Sequence, residues 1–285
     1  MKPAPFTYHP AHTVEQALDL LARLGAEGGR VLAGGQSLVP LMAFRLAQPP
    51  HLIDINRVAD FGALRVIDNQ LRIPATARHA AFTPTIAPPP LGPLLAKVAR
   101  HIGHVPIRTR GTFCGSLAHA DPAAEWPLVF VTLGGEAVAR SRARERVVSA
   151  ANWFRGIMTT ALAGDEMLVE ARLGLPPADT RMGFYECSRR AGDYAMAMAL
   201  VSLRVVDGTI QVSRVGLGGA EPVPRRVEAA EAVLDGAAPE EAVFRRAANA
   251  AADVVTPMED VQVSAALRRD LVRTAVRRAL RDALD

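Results

Sequence analysis

A run of very small residues that leads into a helix start constrains this chain more than any other feature. The run extends from Gly111 to Glu125 and includes Gly115 and Ser116. Glycines tolerate positive φ angles and let the backbone come within hydrogen-bonding distance of a phosphate group. The segment from Leu32 to Leu38 has the same character, with two adjacent glycines and a serine. Two such loops, about 80 positions apart, predict one long ligand held at two places, as a dinucleotide would be.

Neither loop fits the commoner phosphate-binding motifs. The P-loop pattern requires a lysine after its second glycine, and neither segment contains a lysine. The Rossmann pattern G-x-G-x-x-G requires a glycine spacing that both segments lack. A single glycine pair is more often a plain turn, so the prediction of a ligand site depends on the two loops together.

Three segments in series resemble the FAD-binding medium subunit of the molybdenum hydroxylases, a group that includes carbon monoxide dehydrogenases and bacterial xanthine-type dehydrogenases. The segments are Leu32 to Met42, Thr109 to Pro127 and Arg189 to Ala195. The resemblance implies an α+β fold: a p-cresol methylhydroxylase-type FAD-binding domain of two α/β subdomains, followed by a small C-terminal α+β domain in which strands precede helices.

Local patterns give the expected boundaries and elements. The chain is predicted to divide into FAD-binding subdomains at 1–60 and 61–176 and a C-terminal flavoprotein domain at 177–285, with a break at Pro176-Pro177. Thr13 and Gln16 predict a capped helix start, and Asp121-Pro122 predicts another. Helices are predicted at 14–24, 38–46, 94–101, from 122 onward and at 264–284, and strands at 30–32, 51–55, 64–67, 70–73, 136–140, 146–148, 184–188, 197–206 and 209–217.

The resemblance implies that the two loops surround the pyrophosphate and ribose of FAD. Backbone amides and the hydroxyls of Ser37, Thr112 and Ser116 would donate hydrogen bonds to phosphate oxygens. A carboxylate after the second loop would accept from ribose hydroxyls; Glu125 and Asp121 are equal candidates, and Asp121 has a helix N-cap as its alternative role. The implied FAD contacts are Leu32, Ala33, Gly34, Gly35, Gln36, Ser37, Leu38, Thr112, Cys114, Gly115, Ser116, Asp121, Glu125, Arg190 and Tyr194.

The third segment is implied to lie beside the isoalloxazine ring. An aromatic ring at Tyr194 would cover one flavin face and limit access of oxygen. Arg189 and Arg190 would supply positive charge that stabilises an anionic reduced flavin. The chain departs from the family in two places: Cys114 stands where the second loop usually has a glycine, and a lysine often found just before Arg189-Arg190 is missing.

Cysteine usage implies that metal chemistry belongs to other chains. The two cysteines, Cys114 and Cys187, have no C-x-x-C partners, so this chain cannot build an iron–sulfur cluster or a zinc site, and His101, His104 and His119 do not form a spaced ligand set. The resemblance implies a molybdenum cofactor in a large partner subunit and 2Fe-2S clusters in a small one, in a dimer of heterotrimers. Substrate would be oxidised at molybdenum, with no catalytic residue on this chain, and electrons would pass through the clusters to FAD and on to an external acceptor.

Other functions stay open at this point. A self-contained p-cresol methylhydroxylase-type oxidoreductase would have its own substrate pocket above the flavin, whereas a nucleotide-binding assembly protein would show no bound yellow cofactor. The substrate of a molybdenum partner could be CO, a purine, an N-heterocycle, an aldehyde or an aromatic thioester.

Charge and hydropathy exclude other classes. The net charge is +4 and 5% of residues are aromatic, so the dispersed basic residues lack the stacking platform typical of nucleic-acid binding.

The last predicted helix has an apolar face that includes Leu267 and a basic face that includes Arg268. The basic face is interpreted as solvated or as a partner surface. No apolar stretch of about 18 residues occurs, so a cytoplasmic protein without a targeting leader is expected.

Overall fold

The computed structural model describes residues 2–285, and its first sheet is parallel with strand order β1-β3-β2. Strand β2 (Arg30–Leu32) is at one side of this sheet, and the first glycine loop connects its carboxyl end to helix α2 (Leu38–Ala43). The first glycine loop therefore lies at the carboxyl edge of the sheet. Thr13 Oγ1 accepts a hydrogen bond from the Gln16 amide at 3.1 Å, which confirms the predicted capped start of the first helix. The elements are β1 (Thr7–Pro10), α1 (Val14–Leu24), β2 (Arg30–Leu32), α2 (Leu38–Ala43) and β3 (His51–Asp54).

The second sheet is antiparallel, with strand order β4-β5-β10-β6-β7. Four α-helices, two short 3-10 helices (His79–Phe82 and Ala150–Asn152) and a two-stranded ribbon, β8-β9, accompany it. Trp126 and Trp153 are buried in the core that these elements share with the sheet. The elements are β4 (Arg65–Ile67), β5 (Gln70–Pro74), α3 (Leu91–His101), α4 (Val105–Arg108), α5 (Phe113–His119), α6 (Glu125–Thr132), β6 (Glu136–Arg140), β7 (Glu145–Ser149), β8 (Phe154–Gly156), β9 (Thr159–Thr160) and β10 (Met167–Gly174).

The third sheet is an antiparallel meander, β11-β12-β13-β14, followed by three helices. Helix α6 packs against the face of this sheet that the three following helices leave uncovered. The approach is so close that a Cβ added at Gly216 would lie 1.7 Å from Thr132 Oγ1. This contact joins the third sheet to the preceding region. The elements are β11 (Arg181–Cys187), β12 (Ala197–Val206), β13 (Thr209–Gly218), β14 (Arg225–Arg226), α7 (Glu228–Leu234), α8 (Glu241–Val254) and α9 (Ala265–Asp282).

Several predicted helix boundaries are wrong. Helix α2 ends at Ala43 because Arg45 has a left-handed φ of 58°, and α3 begins at Leu91, with Pro93 in its first turn, where a missing amide costs nothing. Helix α6 begins at Glu125, not at Pro122. The Asp121 Oδ1 atom accepts from the Ala123 amide at 2.9 Å and closes a turn before the helix, so the N-cap role suggested for Asp121 is also wrong.

The last helix forms as predicted, but its two faces differ from the prediction at two positions. Ser264 caps it by accepting from the Leu267 amide. Leu267 is 47% exposed, whereas Arg268 is only 4% exposed and donates to the Gly219 carbonyl and to Asp260. Arg277 and Arg281 pair with Glu241 of α8. The arginines of α9 therefore bind groups of their own domain to a large extent.

None of the helices within residues 2–285 is both long and apolar enough to cross a membrane.

Candidate functional site

A cavity of about 700 Å³ lies where the glycine loops, the β8-β9 ribbon and the Gly192–Tyr194 turn meet. All the predicted contact residues except Arg190 line this cavity. Arg190 and its neighbour Arg189 are exposed, and the Arg190 carbonyl accepts from the Asp193 amide at 3.1 Å in a turn that brings Gly192, Asp193 and Tyr194 to the cavity instead. The cavity thus gathers segments that are far apart in the sequence.

The first loop presents unused backbone donors to the cavity. The N–H groups from Gly34 through Leu38 donate to no other group of the chain from residue 2 onward. The carbonyls of Gly35 and Ser37, in contrast, are engaged: Gly35 O accepts from Val39 N at 3.0 Å and Ser37 O accepts from Leu41 N at 3.2 Å. A row of free amides at the start of a helix attracts anions.

The two loops touch through their backbones. A Cβ added at Gly34 would lie 2.3 Å from the Arg110 carbonyl oxygen and 2.6 Å from the Gly111 Cα atom. Gly35 has a φ of 71°, a conformation that side-chain-bearing residues rarely adopt. Only glycines fit this junction, and the cradle that they form suits the pyrophosphate of FAD.

The second loop uses most of its donors within the protein. Thr112 Oγ1 accepts from the Gly115 amide at 3.0 Å, and Thr112 O accepts from the Ser116 amide at 3.0 Å, so Thr112 is the N-cap of α5. The Phe113 amide donates to Ala77 O at 3.0 Å. From Thr112 to Ser116, the amides of Thr112 and Cys114 are the two without an acceptor among the described residues. Gly115 and Ser116 therefore face the cavity without free amides, contrary to the sequence-based expectation.

Cys114 is a structural residue in its present environment. Its thiol is buried and points at the Ile73 carbonyl, with Sγ and O 3.5 Å apart. Burial raises the pKa of this thiol far above its ordinary range, so a reactive thiolate does not form there.

Glu125 is the more buried of the two candidate carboxyls. It lies in the first turn of α6 and lines the cavity, and burial, assisted by the neighbouring Glu186 carboxyl, raises the pKa of Glu125 to about 8. Burial also raises the pKa of Glu186 to about 7, and its Oε2 atom has no hydrogen-bond partner. A ligand that donates hydroxyl hydrogen bonds would favour the ionised form of Glu125.

His79 is a cavity residue that sequence reasoning missed. Its Nδ1 atom accepts a hydrogen bond from Trp126 Nε1 at 2.9 Å, and burial, with repulsion from Arg78 and Arg108, lowers the pKa of His79 to about 4. The neutral ring therefore has its proton on Nε2, the atom that faces Gly111. No local motif marks this histidine, since its partner is 47 positions away. Of the histidines noted from the sequence, His119 lines the cavity.

The cavity has both apolar and charged lining residues. Leu21, Ile55 and Met167 are apolar, and Glu166 binds Arg146 with Arg146 Nη2 and Glu166 Oε2 2.6 Å apart. The hydrogen bond from Arg146 lowers the pKa of Glu166 to about 2, and Glu166 also accepts from the Ala163 amide at 2.9 Å, which fixes the loop after β9. Tyr194 also lines the cavity and is 70% exposed.

Known proteins share both halves of this architecture. A family described as the FAD binding domain in molybdopterin dehydrogenase matches residues 4–176, and the CO dehydrogenase flavoprotein C-terminal domain matches residues 183–283. The nicotine 6-hydroxylase medium subunit of Paenarthrobacter nicotinovorans is 37% identical over 99% of both chains.

Solved structures agree with these matches. A chain of carbon monoxide dehydrogenase from Hydrogenophaga pseudoflava has a TM-score of 0.94 and 34% identity, covering 100% of this chain and 99% of that one. A chain of quinoline 2-oxidoreductase from Pseudomonas putida 86 has a TM-score of 0.92 and 33% identity, covering 99% and 98%. The predicted fold class, the resemblance and the FAD cofactor are confirmed. The chain belongs to the FAD-binding medium subunits of the molybdenum hydroxylases and is the flavin subunit of a multi-subunit oxidoreductase.

Proposed function

We propose that this chain receives electrons from the 2Fe-2S clusters of a small partner subunit, stores them on its FAD, and passes them to an external acceptor. The main support is the cavity, which is lined by the second glycine loop and by Gly34 through Leu38, whose amides have no acceptor in the chain from residue 2 onward. Such a row of donors suits a pyrophosphate, the part of FAD that a simple substrate pocket would not need.

The chain's own residues bind, orient and shield the cofactor. The amides of the first loop, with those of Thr112 and Cys114, bind the pyrophosphate, and Glu125 accepts hydrogen bonds from ribose hydroxyls, with Asp121 as the second candidate. Tyr194 covers the exposed flavin face, and Arg190 adds positive charge near it without lining the cavity. Bound FAD supplies a carrier that exchanges electrons singly or in pairs.

The domain limits at 1–60, 61–176 and 177–285 belong to this proposal. The three larger sheets support them, since one sheet falls within each range. In this arrangement the pyrophosphate lies between the ranges 1–60 and 61–176, and the Gly192–Tyr194 turn of the range 177–285 closes the cavity.

The proposed partners are a large subunit with the molybdenum cofactor and a small iron–sulfur subunit, assembled as a dimer of heterotrimers in the cytoplasm. The term "medium subunit" in the name of the nicotine 6-hydroxylase chain supports a larger and a smaller partner. The similar proteins are named for nicotine, carbon monoxide and quinoline. Because proteins named for such different molecules contain such similar flavin chains, we assign the choice of substrate to the large subunit.

The test compares the isolated chain with its complex. The FAD-loaded chain alone should be reduced by dithionite but should not turn over small organic substrates, whereas the complex with molybdenum and iron–sulfur subunits should do so with an artificial acceptor. Acid precipitation should release the flavin into the supernatant, as expected for noncovalent FAD. Steady turnover by the metal-free chain would contradict the proposal and favour a self-contained p-cresol methylhydroxylase-type enzyme.

A further inference from the structure

A chain of hydrogen bonds behind the cavity connects the two glycine loops. Asn56 Nδ2 donates to the Ala33 carbonyl at 2.7 Å, and Asn56 Oδ1 accepts from Arg78 Nη2 at 2.6 Å. The Nη1 atom of the same guanidinium donates to the Arg110 carbonyl, directly before Gly111. Neither Asn56 nor Arg78 lines the cavity, so both act on the loops from outside the ligand site.

The Asn56 side chain is held in one orientation. Asp54 Oδ1 accepts from the Asn56 backbone amide at 2.8 Å and from Asn56 Nδ2 at 2.5 Å. Asp54 Oδ2 in turn accepts from the Tyr8 hydroxyl at 2.6 Å. With its amide nitrogen bound to two acceptors and its oxygen bound to Arg78, Asn56 has no freedom to exchange the positions of the two atoms.

The contact to Ala33 aims a donor at the ligand. Ala33 C=O and Gly34 N–H belong to the same trans peptide group, in which the two bonds point in opposite directions. Holding the Ala33 oxygen on the Asn56 side therefore turns the Gly34 hydrogen to the other side, and this N–H is the first of the free row. A hydrogen bond accepted by the carbonyl also polarises the peptide and strengthens its N–H as a donor.

We propose that Asn56 and Arg78 are positioning residues that preset the two loops for the pyrophosphate before FAD binds. This inference rests on the proposed role of the two loops. Without these two residues, the loops would have the binding-competent arrangement for only a fraction of the time, and the apparent dissociation constant would rise by the inverse of that fraction. A competent fraction of about one tenth would give a tenfold weaker affinity and a correspondingly slower association.

Two substitutions break the connection at different bonds. Asn56→Ala removes the side-chain amide, so it releases both the Ala33 carbonyl and the Arg78 guanidinium without adding a charge beside Asp54. Arg78→Gln removes the link to Arg110. The matched control is Arg140→Gln. Arg140 also connects the ranges 1–60 and 61–176, through an ion pair with Glu15 at 3.2 Å, and like Asn56 and Arg78 it does not line the cavity.

The experiment measures FAD association, FAD dissociation and thermal unfolding for the flavin-free full-length chain. We expect Asn56→Ala and Arg78→Gln each to slow FAD association about tenfold or more, with the melting temperature close to that of the control, which should associate at the wild-type rate. Wild-type association in both variants would overturn the proposal. Equal losses in the control, or a weaker affinity that follows only the melting temperature, would assign these residues a general structural role and would overturn it too.

A loop variant separates this inference from the proposed function. Gly34→Ala forces the touching backbones apart. If it weakens FAD binding strongly while Asn56→Ala and Arg78→Gln bind normally, the loops hold the pyrophosphate but the positioning role is wrong. If all three bind FAD normally, the assignment of the pyrophosphate to these loops fails.

Discussion

The two glycine loops look alike in sequence but use their backbone donors in opposite ways. In the first loop, the residues from Gly34 through Leu38 line the cavity, and their amides have no acceptor within residues 2–285. In the second, Thr112 accepts the amides of both Gly115 and Ser116, and the Phe113 amide binds Ala77. The first loop is therefore built to bind an anion, and the second is built chiefly to hold its own helix and to let the first come close.

This difference shows why a glycine does not identify a phosphate contact by itself. Gly34 is required because the opposing backbone leaves no room for a Cβ, whereas a Cβ at Gly115 would meet the Thr112 hydroxyl at 2.5 Å. Substitutions in the first loop should thus weaken FAD binding, and substitutions in the second should reduce folding stability.

The largest expected effect comes from Gly34→Ala. The added methyl group would lie 2.3 Å from Arg110 O, and about 3 kcal/mol of backbone strain corresponds to an FAD affinity that is lower by a factor of about 100. Equilibrium titration with FAD measures this effect. The control is Gly174→Ala, since a Cβ there meets nothing within 4 Å; similar affinities for the two variants would contradict the close contact.

The next largest effect is a pH dependence of folding stability. It comes from Glu125, which follows the second loop, because the first loop has no titratable side chain. The pKa of Glu125 is about 8 in the folded protein and 4.5 ordinarily. The folded state therefore binds more protons than the unfolded state between these values, and stability falls as pH rises across this range. His79, with a pKa near 4 instead of 6.5, acts in the opposite sense, and most of its effect on stability falls between pH 4 and pH 6.5.

Denaturant unfolding of the flavin-free chain at pH 6.5 and pH 8 isolates the carboxyl effect. Wild type should lose about 1 kcal/mol or more over this interval, and Glu125→Gln should lose clearly less. Part of the fall should persist in that variant, because Glu186 has a pKa of about 7. A wild-type stability that rises from pH 6.5 to pH 8 would contradict the buried, protonated state of Glu125.

The smallest effect comes from Thr112→Val. Loss of the N-cap of α5 should reduce the free energy of unfolding by about 1 kcal/mol, and Thr112→Ser, which keeps the hydroxyl, should restore most of it. FAD affinity per folded molecule should change less than in Gly34→Ala. If Thr112→Val weakened FAD binding as strongly as Gly34→Ala, the contrast between the loops would be wrong.

Local signals made the loops and most elements predictable from the sequence. Adjacent glycines with hydroxyl residues mark both loops, and the cap at Thr13 marks α1. Asp121-Pro122 also looks like a helix start, but the Asp121 side chain closes a turn with Ala123 and α6 begins later. A sequence pattern gives the residues suited to a cap and not the register in which the chain uses them.

The residues that sequence reasoning missed act through distant partners. Asn56 contacts a carbonyl 23 positions away, Arg78 binds one 32 positions away, and His79 meets Trp126 at a separation of 47. None has a neighbouring motif that announces its role. The position of Arg190 outside the cavity lining likewise depends on the turn in which the Asp193 amide donates to the Arg190 carbonyl. The sequence motif alone does not define this turn.

Amide hydrogen exchange, measured residue by residue with and without FAD, tests the central contrast most directly. The amides from Gly34 through Leu38 have no acceptor in the described chain, so they should exchange fast without FAD and become strongly protected when it binds. Gly115 and Ser116, already bonded to Thr112, should be protected before FAD is added and should change little. Protection that FAD induces at Gly115 and Ser116, with none from Gly34 through Leu38, would contradict this account of the site.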